Sequence, residues 1–301
     1  SGGTVVLATD PDCDRLGVAV PDAGNRFVPL TGNQLGCLFA FMVAASYRRS
    51  GIMPSDPVIL STIVSTEMVH RIAEDFGIRV VEVLTGFKYI AWKMREFEER
   101  GTGSFIFGFE ESYGYLAGTF VRDKDGVLGA LLALTLMRYA AGKTSGGGAP
   151  GGSGGSPVLA LLHDLYRRYG LFMEFQRSFM LRGREGARRI GEIMRELREN
   201  PPALLGGSRV ELVKDFLEQK MYTPGGSQAR AITDLPRSNV LQFQAGDVKI
   251  SARPSGTEPK IKFYTALRRT VSDGIEREQR RLEERYREVS GELFGRYGLE
   301  G

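Results

Sequence analysis

The chain has 301 residues, 42% of them apolar, with 40 Lys and Arg against 36 Asp and Glu. That apolar share fills packed cores and excludes wholesale disorder, and the length fits two or three domains. Charges of both signs are interleaved and sum to only +4, so neither nucleic acid nor a membrane surface is expected as a partner. The two cysteines, Cys13 and Cys37, make no disulfide framework and fit a cytoplasmic, reducing location. No stretch reads as a signal peptide or a membrane span. With only two histidines, polyhistidine zinc chemistry is excluded.

In chain order, residues 4–9 and 16–20 read as strands. Leu35, Leu38, Phe39, Met42 and Val43 recur at helical spacing, which predicts an amphipathic helix over 32–49, stopped by Gly51 and Pro54. Strands at 58–61, 80–83 and 105–109 then alternate with helices at 65–76 and 89–100, before an apolar helix at 127–141. This alternation predicts an α/β domain with a mainly parallel sheet, whose ligand-facing segments are the turns at the strand ends. Residues 143–156 are mostly Gly and Ser and predict a surface loop. Ser156-Pro157 opens a helix to residue 169. Beyond it, strands at 172–181, 240–243, 248–252 and 261–267, with helices at 185–199 and 271–297, predict a smaller α+β domain with an antiparallel sheet. The expected domains are 1–55, incomplete in itself, then 56–170 and 171–301.

Four segments carry chemistry. Asp10-Pro-Asp12-Cys-Asp14-Arg15 follows the apolar run 5–8. Carboxylates at alternate positions repel one another, and Mg²⁺, a hard ion that takes oxygen ligands, is the usual compensation. Arg15 beside such an ion suits a bidentate phosphate contact; a solvated acidic turn is the plainer alternative. Arg253-Pro-Ser255-Gly256-Thr257-Glu-Pro259 follows a strand. Its hydroxyls, its glycine and the charges of Arg253 and Lys260 suit a phosphate dianion, against the alternative of a hairpin turn with a capping serine. Glu110-Glu111-Ser112 ends a strand and suits sugar hydroxyls, or simply a helix N-terminus. Lys88 of Thr85-Gly-Phe-Lys88 could neutralise a phosphate or move a proton. The segment 122–126, Arg-Asp-Lys-Asp-Gly, reads as a charged turn.

Taken together in chain order, Asp10–Arg15, Thr85–Lys88, Glu110–Ser112 and Arg253–Pro259 resemble the α-D-phosphohexomutase superfamily, in its bacterial phosphoglucomutase/phosphomannomutase branch. The resemblance spans essentially the whole chain. It implies a second-domain Mg²⁺ loop with Asp10, Asp12 and Asp14 as ligands and Arg15 beside the transferring phosphate. It implies a third-domain sugar loop with Glu110 and Ser112, and a fourth-domain loop in which Arg253, Ser255, Gly256 and Thr257 hold the phosphate that is not reacting. Lys88 becomes a candidate acid/base helper. The implied reaction interconverts hexose 1-phosphate and hexose 6-phosphate, glucose or mannose, through glucose 1,6-bisphosphate or its epimer.

One element of the pattern is missing. The nucleophilic loop Thr/Ser-Ala-Ser-His-Asn-Pro has no counterpart among the 301 residues. The resemblance therefore implies a chain without the N-terminal phosphoserine domain, inactive alone. A non-catalytic sugar-phosphate-binding module is the alternative. An aspartyl-phosphate phosphatase of the haloacid dehalogenase type would explain Asp10-x-Asp12 but leaves Glu110 and Arg253 without a role.

Overall fold

A computed structural model describes residues 4–144, 155–226, 228–256 and 258–299. The chain divides into two compact units, Ser1–Gly170 and Leu171–Gly301.

The first unit opens with a three-stranded antiparallel meander of β1 (Val6–Thr9), β2 (Leu16–Pro21) and β3 (Phe27–Leu30). In β2 the alternate residues Leu16, Val18 and Val20 are buried, the period-2 pattern of a strand with one covered face. Strand β3 was not anticipated, because Pro29 interrupts its apolar pattern. Pro is tolerated on an edge strand, and β3 is one.

Helix α1 (Gly32–Ser50) starts at a capping box, in which Thr31 Oγ1 accepts the Gln34 N–H and Gln34 Oε1 accepts the Thr31 N–H. It ends on Gly51 in the left-handed conformation. All five residues expected to form its apolar face are buried.

A four-stranded sheet follows, in the order β5-β4-β6-β7. Strand β4 (Pro57–Thr62) is buried along its whole length and runs parallel to both β5 (Arg79–Val83) and β6 (Ser104–Glu110). Such a central strand reads as a continuous apolar run because both its faces are covered. Strand β7 (Gly114–Ala117) returns antiparallel to β6, so the sheet is mixed. Helices α2 (Met68–Phe76), α3 (Phe87–Arg100), α4 (Gly126–Thr144) and α5 (Pro157–Tyr169) complete the unit. Ser156 caps α5 by accepting the Val158 N–H.

Helix α2 starts three residues later than the sequence suggested. Thr62–Ser65 instead form a turn closed by Ser65 N–H on Thr62 O, and Thr66 N–H donates to Asn33 Oδ1. Helix α1 packs on α2 and β6 within the first unit. Most of the Gly/Ser segment expected as a loop, 145–154, lies outside the described residues.

In the second unit, β8 (Leu171–Met180) and helix α6 (Gly183–Glu199) precede the hairpin β9 (Leu204–Leu205) with β10 (Ser208–Arg209). Then come β11 (Leu212–Asp215), β12 (Lys220–Tyr222), β13 (Ala229–Ala231), β14 (Leu241–Ala245), β15 (Val248–Pro254), β16 (Lys260–Arg269) and helix α7 (Ile275–Arg296). A seven-stranded, wholly antiparallel sheet runs β13-β12-β11-β14-β15-β16-β8. Helices α6 and α7 pack against it, giving the α+β class expected. Phe179, Phe263 and Phe294 form an aromatic cluster that ties α7 to β8 and β16.

Candidate functional site

The acidic turn leaves β1 and is fastened at several points. Cys13 N–H donates to Asp10 O, and Leu16 N–H donates to Tyr113 O. Gly126 N–H donates to Cys13 O at 3.0 Å. A Cβ at Gly126 would lie 2.7 Å from that carbonyl oxygen, so only glycine lets α4 begin this close to the turn. Cys13 (φ 56°) and Tyr113 (φ 70°) both hold left-handed conformations, a cost of about 1–3 kcal/mol each that surrounding structure must offset. The strain sits where the acidic turn meets the β6–β7 turn.

The side chains of the acidic turn have distinct partners. Asp10 Oδ1 accepts the N–H groups of Asp14 (3.3 Å) and Arg15 (3.2 Å), and its Oδ2 lies 3.8 Å from Arg15. These contacts lower the Asp10 pKa against the opposing effect of desolvation. Asp12 is exposed. Asp14 Oδ2 pairs with Lys124 Nζ at 3.0 Å, while Asp14 Oδ1 is buried with no hydrogen-bond partner. Among the described residues, no three His, Cys, Asp or Glu side chains are gathered as a group that could hold a metal. The structure thus places Asp10, Asp12 and Asp14 on one fastened turn but does not bring their carboxylates together. The three side chains offer carboxylate oxygens only, the donor type a hard divalent ion takes.

Glu110 ends β6 and is 4% exposed. Burial raises its pKa, against the lowering effects of the Lys124 charge and a hydrogen bond with Ser112. Its neighbour Glu111 points elsewhere, accepting from Thr62 Oγ1 at 3.0 Å. That contact joins the β6–β7 turn to the end of β4. A Cβ on Gly32 would fall 2.0 Å from Glu111 O, so the first residue of α1 must also be glycine for helix and turn to meet. In Thr85-Gly-Phe-Lys88 the inward residue is Phe87, whose ring centre lies 5.9 Å from Lys124 Nζ. Lys88 is exposed on the first turn of α3, its Nζ 5.0 Å from the Tyr89 ring centre.

The residue that sequence reasoning missed is Lys124. Read in isolation, 122–126 is a charged turn. In the fold, Lys124 reaches Asp14 from the acidic turn and Glu110, 3.9 Å away, from the β6 end. An Asp-Lys-Asp-Gly run that opens a helix after a strand–turn–strand was the available signal.

In the second unit, Arg253 and Pro254 end β15 and Lys260 begins β16. Ser255 N–H donates to Lys260 O, Ser255 Oγ accepts the Glu258 N–H at 3.3 Å, and Lys260 Nζ pairs with Glu258 at 2.6 Å. Ser255 thus holds the backbone of Glu258 from within the segment, and the Lys260 charge is paired with Glu258. Arg253 makes no ion pair among the described residues and stands half-buried at the end of β15. Gly256 is exposed, with open space where a Cβ would be. Thr257 lies outside the described residues.

The first unit is thus a mixed α/β sheet domain with its polar loops gathered where β4 and β6 end. Residues 31–149 match the family model for "Phosphoglucomutase/phosphomannomutase, alpha/beta/alpha domain III". The match takes in α1, which the chain-order reading grouped with 1–55. A phosphoglucomutase of Staphylococcus haemolyticus (strain JCSC1435) is 35% identical over 265 residues, 87% of this chain and 45% of that protein. One of Staphylococcus aureus (strain MRSA252) is 34% identical over 274 residues, 89% of this chain and 45% of that protein. Among solved structures, pp63/parafusin (phosphoglucomutase) of Paramecium in its open form gives a TM-score of 0.60 at 16% identity, covering 96% of this chain and 46% of that one. A phosphoglucomutase/phosphomannomutase family protein of Burkholderia thailandensis gives 0.56 at 17% identity, covering 97% and 47%. These two show likeness of fold. The chain is similar to these phosphoglucomutases along most of its own length and spans under half the length of the relatives it matches.

Proposed function

We propose that this chain is part of a phosphoglucomutase/phosphomannomutase that interconverts hexose 1-phosphate and hexose 6-phosphate through a 1,6-bisphosphate. The observation that carries the reading is the joint between the acidic turn and the β6–β7 turn. There Leu16 N–H binds Tyr113 O, and Lys124 lies within 4 Å of both Asp14 and Glu110. A cation site and a sugar-hydroxyl site built this close are what phosphoryl transfer to a sugar demands.

Asp10, Asp12 and Asp14 would hold Mg²⁺, which when bound stabilises charge on a transferring phosphoryl group. Arg15, half exposed at 49%, orients the phosphate through its planar fork of donors. Ser112 and Glu110 hydrogen-bond sugar hydroxyls. Lys88, at the open start of α3, serves as the acid/base helper. Arg253, Ser255, Gly256 and Thr257 hold the phosphate that stays attached. No serine of this chain sits in a Ser-His-Asn-Pro loop, so the phosphoryl donor comes from outside these 301 residues. The chain alone is expected to bind and not to turn over. The two cysteines, Cys13 exposed and Cys37 buried, suit a reducing, cytoplasmic setting.

Titrating the chain with glucose 1,6-bisphosphate by calorimetry tests this. Binding is expected to strengthen with Mg²⁺ and to fall about tenfold, or ~1.4 kcal/mol, in Asp12→Asn and in Arg253→Ala. Turnover of glucose 1-phosphate by the chain alone, or binding indifferent to Mg²⁺ and to both substitutions, contradicts it.

A further inference from the structure

We propose that Thr62, itself held by Ser65, is a positioning residue for the β6–β7 turn: its hydroxyl fixes Glu111 and so sets Ser112 where a hexose hydroxyl can meet it. This inference deepens the proposed function and rests on the reading of Glu110 and Ser112 as sugar ligands.

The end of β4 is polar in a place that is deeply covered. Thr62 and Ser65 are each 1% exposed and Thr66 is 3% exposed, and a hydroxyl buried there is costly unless it is bonded. Thr62 Oγ1 lies 3.0 Å from Glu111 Oε2 and 2.9 Å from Ser65 Oγ. A carboxylate only accepts, so the one hydroxyl proton of Thr62 goes to Glu111. Thr62 Oγ1 must then accept from Ser65, whose Oγ in turn accepts the Thr62 N–H at 3.4 Å. The order of donors is therefore fixed, from Ser65 to Thr62 to Glu111. Ser65 aims the threonine hydroxyl at the turn.

The same junction is met from other elements. Thr66 N–H donates to Asn33 Oδ1 of α1, and Gly32, one residue earlier, packs against Glu111 O. On the far side of Ser112, Tyr113 O accepts the Leu16 N–H, and Tyr113 holds its left-handed conformation (φ 70°). Ser112 thus sits between two anchored neighbours, Glu111 by its side chain and Tyr113 by its carbonyl. Its own hydroxyl bonds to Glu110. A hydrogen bond to a sugar is short-ranged and directional, whereas attraction for a phosphate is carried by charge over longer distances. Loosening Ser112 therefore weakens recognition of the sugar and spares recognition of the phosphates.

Calorimetric titration of the 301-residue chain in Mg²⁺ with two ligands tests this. One is glucose 1,6-bisphosphate; the other is hexane-1,6-diol bisphosphate, which keeps both phosphates and has no ring hydroxyls. Thr62→Val keeps the shape and removes the proton. It is expected to weaken the sugar ligand about tenfold and the diol ligand by less than about twofold. Thr62→Ser keeps the hydroxyl and is expected to stay within about twofold of the parent chain for both. A folded Thr62→Val that binds the sugar ligand as the parent does, or that loses both ligands alike, overturns the inference and leaves the sugar loop standing. Thr62→Ser behaving like the valine variant overturns it too. Should Thr62→Val not fold, Ser65→Ala takes its place, since it leaves Thr62 its proton and removes the neighbour that aims it. A loss of about threefold confined to the sugar ligand is then expected, and the absence of any selective loss overturns the inference. A parent chain that binds neither ligand, or binds both equally tightly, overturns the reading of the sugar loop, and the inference falls with it.

Discussion

Replacing Phe39 by alanine is expected to destabilise the first unit by about 3–5 kcal/mol. Phe39 is fully buried on α1 and meets two rings edge-on, Tyr115 of β7 at 5.1 Å and Phe107 of β6 at 6.3 Å. Phe107 in turn stacks on Phe109, and the Tyr115 hydroxyl donates to Gly32 O at the start of α1. Truncation opens a cavity among rings that cannot collapse, since the strands around it are fixed by the ladder. Edge-to-face contacts add to the loss. The effect reaches the functional loops, because β6 and β7 flank Glu110–Gly114 and α1 abuts Glu111. Trp92 is the sole tryptophan and lies on α3, so its fluorescence in urea reports this unit. A cost under about 1 kcal/mol would show that the cluster is not the keystone of the unit.

Asp215→Ala is expected to cost the second unit about 3–5 kcal/mol, the amount typical of breaking a buried ion pair from one side. Asp215 is completely buried; Oδ2 accepts from Arg198 Nε at 2.8 Å and Oδ1 accepts the N–H groups of Leu217 and Glu218. Arg198, with a side chain 19% exposed, also binds Asn239 Oδ1 and Met194 O. Removing the carboxylate leaves a guanidinium and two amides short of an acceptor, and detaches α6 from β11. Asp215→Asn keeps an acceptor oxygen and should cost visibly less. Circular dichroism during thermal unfolding separates the two variants. Equal, small shifts for both would mean that water replaces the carboxylate without penalty.

Elements whose signals are local were readable from sequence. Helix α1 announces itself through Leu35, Leu38, Phe39, Met42 and Val43 and closes at a glycine that adopts the expected left-handed conformation. Strand β4 is a short apolar run because it is covered on both faces. The strands of 204–231 are two to four residues long, too short for periodicity to register. In the candidate site, residue types were legible and their pairings were not. Nothing local tells that Lys124 is drawn to Asp14, a residue 110 positions away in sequence by simple difference, or that Lys260 folds back on Glu258. Glu110 ends β6 and Glu111 begins the turn after it, and the two go to different partners, one to Lys124 and the other to Thr62. Those partners come only from the fold.

The proposed function has the acidic turn hold a divalent ion beside a hexose phosphate. Mn²⁺ shortens the relaxation of nearby phosphorus nuclei, so ³¹P relaxation of glucose 1,6-bisphosphate mixed with Mn²⁺ and this chain reports whether it does. Enhancement well above that of Mn²⁺ and sugar alone is expected, and its loss in Asp12→Asn. Enhancement that is absent in the parent chain, or that survives unchanged in Asp12→Asn, would contradict it.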